Sequence, residues 1–168
     1  MFRSSRGSSL ANAAAVACIA GLAGGGAQGA CGGKQALSRA EGFHTRHYAF
    51  YAEQTPGLRD WVTPALFGAL QNHYRCAQPH GVCHIDHDPW LGAQDGEVTG
   101  PVTYALKALD ARRAAVVVRY AFAVANEPPR LREVQLHLAE APAPQCWRVD
   151  DLLTPLGDSL AARYRTAM

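Results

Sequence analysis

Four segments between Val102 and Leu153 alternate apolar and polar residues with a period of two, and this constrains the fold more than any other feature. Over 102–109, Val102, Tyr104 and Leu106 alternate with Thr103, Ala105 and Lys107. Over 115–124, Val116, Val118, Tyr120, Phe122 and Val124 share one face and Arg119 points away. Over 132–140, Val134, Leu136 and Leu138 alternate with Glu133, Gln135 and His137. Over 146–153, Trp147, Val149 and Leu153 oppose Arg148 and Asp150. Successive side chains of a strand point to opposite faces, so each segment offers one apolar face and one wet face. That is the pattern of an antiparallel sheet buried on one side. The connections 110–113, 126–130 and 141–145 are short enough for hairpins.

A sheet with one apolar face needs a cover, and the preceding residues supply it. Residues 38–54 read as a helix: Phe43, His47, Phe50 and Tyr51 recur at spacings of three and four. Ser38 followed by Glu41 has the spacing of a capping box, and Thr55-Pro56-Gly57 ends the pattern. In this reading His47 packs among aromatic neighbours and His44 is solvated. A second helix starts at Thr63-Pro64, a cap followed by a residue suited to the first helical position. Leu66, Phe67, Leu70, His73 and Tyr74 form its apolar stripe, and it ends by Pro79-His80-Gly81. A short helix over 159–166 closes the chain, capped by Asp158 and anchored by Leu160 and Tyr164. The expected fold is α+β: two N-terminal helices on a curved four-stranded antiparallel meander, with a short C-terminal helix.

The start of the chain has another character. Met1–Leu10 carries Arg3 and Arg6 and no acid, and 11–23 is small and apolar apart from Asn12. Gly24-Gly25-Gly26 and Ala27-Gln28-Gly29 follow. This charged, apolar, small-residue order is that of a secretory signal peptide. The expected organisation is a signal peptide over 1–29, a flexible linker over 30–37 and a single α+β domain over 38–168. Gly29-Ala30-Cys31 also partly fits a lipoprotein signal, which makes Cys31 a lipidation candidate. Gln28 stands where such signals carry Leu, Val or Ile. The expected location is therefore exported, in the periplasm or as a membrane-anchored lipoprotein, with membrane contact only through the leader or a lipid anchor.

Four cysteines remain beyond the leader, and two disulfides can form from them in an oxidising compartment. Cys76 and Cys83 are the first candidate pair, because Pro79 and Gly81 let the chain turn back between them. An acylated Cys31 would leave Cys146 unpaired. Cys76, Cys83 and His84 lack the C-x-x-C pairing of structural zinc sites. With Arg3 and Arg6 set aside, basic and acidic residues are equal in number. That balance makes no electrostatic case for nucleic acid or an anionic membrane surface.

The densest polar segment, 84–95, lies where the helical half meets the strand half. In a structural reading, which is preferred, Asp86 and Asp88 bond turn backbone, Pro89 fixes the loop, and Trp90 and Leu91 plug the core. Gln94 and Asp95 then bond the start of the first strand. In a metal reading, His84, Asp86, His87, Asp88 and Asp95 supply ligands to zinc or manganese. In a catalytic reading, Asp86, Asp88 or Asp95 is a general base aided by Tyr48, Tyr104 or a histidine. No serine nucleophile motif, phosphate loop or dinucleotide fingerprint is present.

Asp86-His87-Asp88-Pro89-Trp90-Leu91-Gly92-Ala93-Gln94-Asp95 resembles the D-x-D-P-F-L-x-A-Q-D signature of domain of unknown function family 3828. Phe50-Tyr51 resembles an early Phe-Tyr pair of that family, and Trp147-Arg148-Val149-Asp150-Asp151 its late W-x-I-D-D segment. The resemblance covers roughly residues 38–165. The departures are Trp90 in place of Phe and the Cys76–Cys83 pair. Its members are bacterial exported proteins, many of them lipoproteins. The resemblance implies a helix-plus-curved-sheet domain of the nuclear-transport-factor-two-like (cystatin-like) kind and no assigned function. That wider superfamily hosts enzymes and binding modules alike, so fold does not decide.

The functional expectation is a non-enzymatic envelope binding or accessory module with an envelope protein or a neutralised toxin as partner. No cofactor, metal or catalytic residue is assigned. Asp86, His87, Asp88, Trp90, Gln94, Asp95 and Arg119 are the candidate binding residues. Lys107, Arg119, Glu133, His137, Arg148 and Asp150 are expected on an outward sheet face. An open sheet face also admits a homodimer, although no residue singles it out. The alternative is a small-molecule-binding or hydrolase/isomerase-like pocket protein. A cavity with inward polar groups would favour the pocket, and a filled core the module.

Overall fold

The computed structural model of the chain describes residues 31–166 except Asn126. The signal peptide expected over 1–29 lies outside the described residues. The architecture is α+β: two N-terminal helices pack on a four-stranded antiparallel meander, and a short helix follows.

Helix α1 spans Gly33–Arg46 and buries Ala36, Ala40 and Phe43, spaced four and three apart. It starts five residues before Ser38, so most of the segment expected as a linker over 30–37 is helical. Gly32-Gly33 reads as linker in sequence, but the Gln35 side chain accepts a hydrogen bond from Gly32 N at 3.2 Å and closes the first turn. The helix also ends early. His47 breaks it, and a 3₁₀ turn over Tyr48–Tyr51 carries Phe50 into the core. Helix α2 spans Pro64–His80, and Thr63 Oγ1 accepts from Leu66 N at 3.2 Å, the expected cap. Helix α3 spans Leu160–Arg165. Its cap is Ser159 rather than Asp158: Ser159 Oγ accepts from Ala162 N at 3.0 Å, while Asp158 pairs with Arg163 at 2.8 Å.

The strands are β1 (Glu97–Leu109), β2 (Arg113–Ala123), β3 (Arg130–Glu140) and β4 (Trp147–Leu153), adjacent in chain order. Strand β1 begins five residues before Val102. Gly100-Pro101 looks like a break, because proline cannot donate to a ladder, yet β1 is an edge strand and a register shift between Thr99 and Thr103 absorbs it. Gly96, just before it, has φ +125°, and a Cβ there would lie 2.8 Å from the Ala123 carbonyl oxygen.

The opposite edge is closed by residues 61–63, where Thr63 N donates to Val149 O at 2.8 Å and Val149 N to Trp61 O at 2.9 Å. The β3–β4 ladder has a register shift between His137 and Leu138, and Leu138 pairs with Val149 while His137 pairs with Asp151. Asp150 is thus the extra residue on β4. Beyond it the faces exchange, so Leu152, not Leu153, enters the core. The bulge also takes Asp150 from the outward face: its carboxylate accepts from the Thr63 hydroxyl at 2.7 Å.

Val116, Val118, Tyr120, Phe122, Val134, Leu136 and Leu138 point toward the helices and are buried, as the alternation requires. Val124, expected with them, is exposed beyond the end of β2. Two disulfides tie the domain, Cys31–Cys146 and Cys76–Cys83, with Cα separations of 5.2 and 5.9 Å. The second is the expected pair. The first engages the Cys31 thiol, so this disulfide and a lipid thioether at Cys31 exclude each other.

Candidate functional site

The polar stretch divides into a structural part and an exposed part. The structural part is a tight loop in which Asp88 O accepts from Leu91 N at 3.2 Å and Gly92 N at 2.8 Å. Asp88 N donates to Ala93 O at 3.1 Å. The Asp88 carboxylate bonds in two directions: Oδ1 accepts from Trp90 N at 2.7 Å, and Oδ2 from the Tyr48 hydroxyl at 2.7 Å. An aspartate bonding the backbone two residues on is an Asx turn. It aims Trp90 under the helices, where the indole Nε1 donates to Tyr48 O at 2.9 Å. The Tyr120 hydroxyl donates to Trp90 O.

Trp90 is 1% exposed and lies among Phe43, His44, Tyr48 and Phe50, with ring centroids 4.8–6.2 Å away. It therefore cannot touch a partner, and its place among the binding candidates is corrected: it is core. It fills the space between the helices and the sheet. His44 differs from expectation too. It is partly buried, its Nδ1 shares a 2.8 Å hydrogen bond with the Tyr104 hydroxyl, and its ring meets Trp90 edge-on.

The exposed part holds Asp86 and Gln94, with the partly buried His87 beside them. Gln94 Nε2 donates to Asp86 Oδ2 at 3.1 Å, and His87 Nδ1 lies 3.0 Å from Asp86 Oδ1. The hydrogen bond from His87 holds the Asp86 carboxyl below the usual carboxylate range. These residues line an open groove of about 730 Å³ between the end of α2 and the loop. Tyr51, His73 and Asp88 contribute to its wall. Burial, reinforced by the Asp88 carboxylate, pushes the Tyr51 phenol up to about 12.

Other candidates do not join them. Asp95 is exposed but does not line the groove. Arg119 lies opposite Glu133 on the outward side of the sheet and pairs with it. The five ligands of the metal reading do not converge, and the grouping of metal-ligating atoms among the described residues is Cys76, Cys83 and His84. Both of those sulfurs are in the disulfide, and a disulfide sulfur is not a thiolate ligand. The residue that sequence reasoning missed is His73. It sits on the apolar stripe of α2, is 5% exposed, stacks on Tyr164 at 4.2 Å and faces His84. An imidazole inside an apolar stripe was the signal available.

Burial lowers the pKa of His44, His47 and His73; Arg39 and Arg46 add to the effect at His47, and His84 at His73. A histidine kept neutral in the folded state binds fewer protons than the unfolded chain once pH drops below about 6.5. Its stability contribution is therefore complete above that pH and is lost on acidification toward the depressed folded values. We expect the thermal midpoint, followed by circular dichroism, to fall by about 5 °C or more between pH 7 and pH 5. A midpoint that is flat or rises over this range contradicts the assignment.

Two disulfides fit an oxidising compartment. No helix among the described residues is long and apolar enough to cross a membrane. No protein-family model matches the chain, so family 3828 is not confirmed, and no curated protein matches it. Among solved structures the chain is similar to a protein of unknown function from Bacteroides thetaiotaomicron, seen in a crystal structure at 2.10 Å resolution. The two are 17% identical over 71% of this chain and 88% of that one, with a TM-score of 0.41, a likeness that carries no argument about activity.

Proposed function

We propose that this protein is an exported, non-enzymatic binding module whose groove between α2 and the polar loop takes a cationic, partly apolar segment of an envelope protein. The observation that carries the reading is the charge of the groove. Asp86 and Asp88 line it and no lysine or arginine does. Val82, 60% exposed, and the partly buried Ile85 and Leu91 supply apolar surface beside the carboxylates. A lysine or arginine flanked by aliphatic residues complements both features. The core around Trp90 is filled, so a small-molecule ligand would have to use this same open groove.

The test is charge reversal. With the tagged protein exported and crosslinked in its own cell envelope, Asp86→Lys is expected to reduce capture of the partner about tenfold, because a side chain that attracts becomes one that repels. Arg119→Glu, on the other side of the sheet, is expected to leave capture unchanged. Equal capture by Asp86→Lys and the wild type, or loss confined to Arg119→Glu, removes the groove from the account.

A further inference from the structure

Cys76, Cys83 and His84 meet where the end of α2 is stapled to the loop, and His73 stands beside His84. Sγ of Cys76, Sγ of Cys83 and a ring nitrogen of His84 all lie within 4.8 Å of one another. Nδ1 of His73 lies 3.2 Å from Nδ1 of His84. In a tetrahedral zinc site the bond lengths place neighbouring nitrogens about 3.3 Å apart, nitrogen and sulfur about 3.6 Å, and two sulfurs about 3.8 Å. The two imidazoles already stand at that nitrogen–nitrogen separation. His84 reaches this position from a left-handed backbone, φ +64°.

The tautomers point the same way. His84 Nε2 lies 3.2 Å from the Thr166 carbonyl oxygen, which only accepts, so Nε2 carries the proton and Nδ1 presents its lone pair. In the oxidised protein that lone pair accepts from His73 Nδ1–H. A ligating histidine typically donates its other N–H to a backbone carbonyl, as His84 does here.

We propose that Cys76, Cys83 and His84 form a redox-gated site that binds one zinc-class divalent ion when the Cys76–Cys83 disulfide is reduced, with His73 closing in beside His84 as the fourth ligand once the staple is open. A dithiol reductant supplies the electrons: it becomes a disulfide while the Cys76–Cys83 bond breaks and two thiols form. The sulfurs then separate to about 3.8 Å. The ion displaces both thiol protons to solvent, and the His73 proton moves from Nδ1 to Nε2 through solvent. A disulfide oxidant, itself reduced to a dithiol, takes the two electrons back, which re-forms the Cys76–Cys83 bond, releases the ion and restores the staple on the groove wall. The oxidised state holds no thiolate, so it has no comparable affinity.

The experiment uses the mature protein reduced with a trialkylphosphine, freed of reductant without oxygen, and titrated with Co²⁺. We expect one equivalent to give the visible bands of tetrahedral cobalt with thiolate-to-metal charge transfer, bleached by Zn²⁺. The oxidised protein should give none. His84→Ala and His73→Ala should each weaken binding at least tenfold, and Cys31→Ser/Cys146→Ser should retain it. If the reduced chain unfolds, recovery of its circular dichroism on adding Zn²⁺ supports the site, and failure to recover overturns it. Absence of stoichiometric cobalt in a folded reduced chain, or bands that survive Cys76→Ser, also overturns it.

Discussion

Trp90→Ala is expected to lower the unfolding free energy by about 3–5 kcal/mol, the usual cost of deleting a large buried aromatic side chain. The indole is 1% exposed and surrounded by rings from α1 and the 3₁₀ turn, so no solvent-facing route exists for the site to collapse cheaply. Its loss also leaves the Tyr48 carbonyl without the 2.9 Å bond from Nε1. Trp90→Phe separates the two effects. It keeps most of the ring volume and removes that bond, and should cost about 1–2 kcal/mol. Equilibrium unfolding in urea measures both. A loss below about 1 kcal/mol for Trp90→Ala would mean that the residue does not fill the space between helices and sheet.

The second large effect belongs to Cys31–Cys146. It joins residues 115 apart in sequence, whereas Cys76–Cys83 joins residues seven apart. Restricting the unfolded chain by the longer loop is worth about 4–5 kcal/mol in the chain-entropy account, against about 2–2.5 for the shorter. The long bridge also holds the start of α1 to β4, where the Trp147 indole donates to Gly32 O at 3.3 Å. Cys31→Ser/Cys146→Ser should therefore unfold at markedly lower urea than Cys76→Ser/Cys83→Ser. Equal losses, or the opposite order, would contradict this account of the N-terminal segment.

The sheet was legible because burial enforces the period of two: Val116, Val118, Val134 and Leu136 all turn to the helices. What could not be read were the places where a tertiary contact overrides the local pattern. Gly32-Gly33 becomes the start of a helix through the Gln35 bond and the neighbouring disulfide. Asp150 bulges, exchanging Leu153 for Leu152, because its carboxylate is drawn to Thr63 across a loop that no periodicity reveals. His44 is taken from water by Tyr104, sixty residues away.

The polar stretch was visible as a cluster, but its division was not. Whether an aspartate caps a turn or faces a groove depends on what stands opposite. Asp88 finds Tyr48, and Asp86 finds only His87 and Gln94 at the surface. The same limit hid His73, which one-dimensional spacing assigns to the core of α2 although its ring meets His84 across the staple.

The measurement that tests the central reading most directly is photocrosslinking in the native envelope from a probe placed at Gln94, on the groove, with a second probe at Arg119 on the outer sheet face. The account predicts one dominant protein adduct from position 94, formed through a lysine- or arginine-containing segment, and none from position 119. A folded protein that crosslinks only from position 119, or from neither position, would contradict a binding groove between α2 and the polar loop.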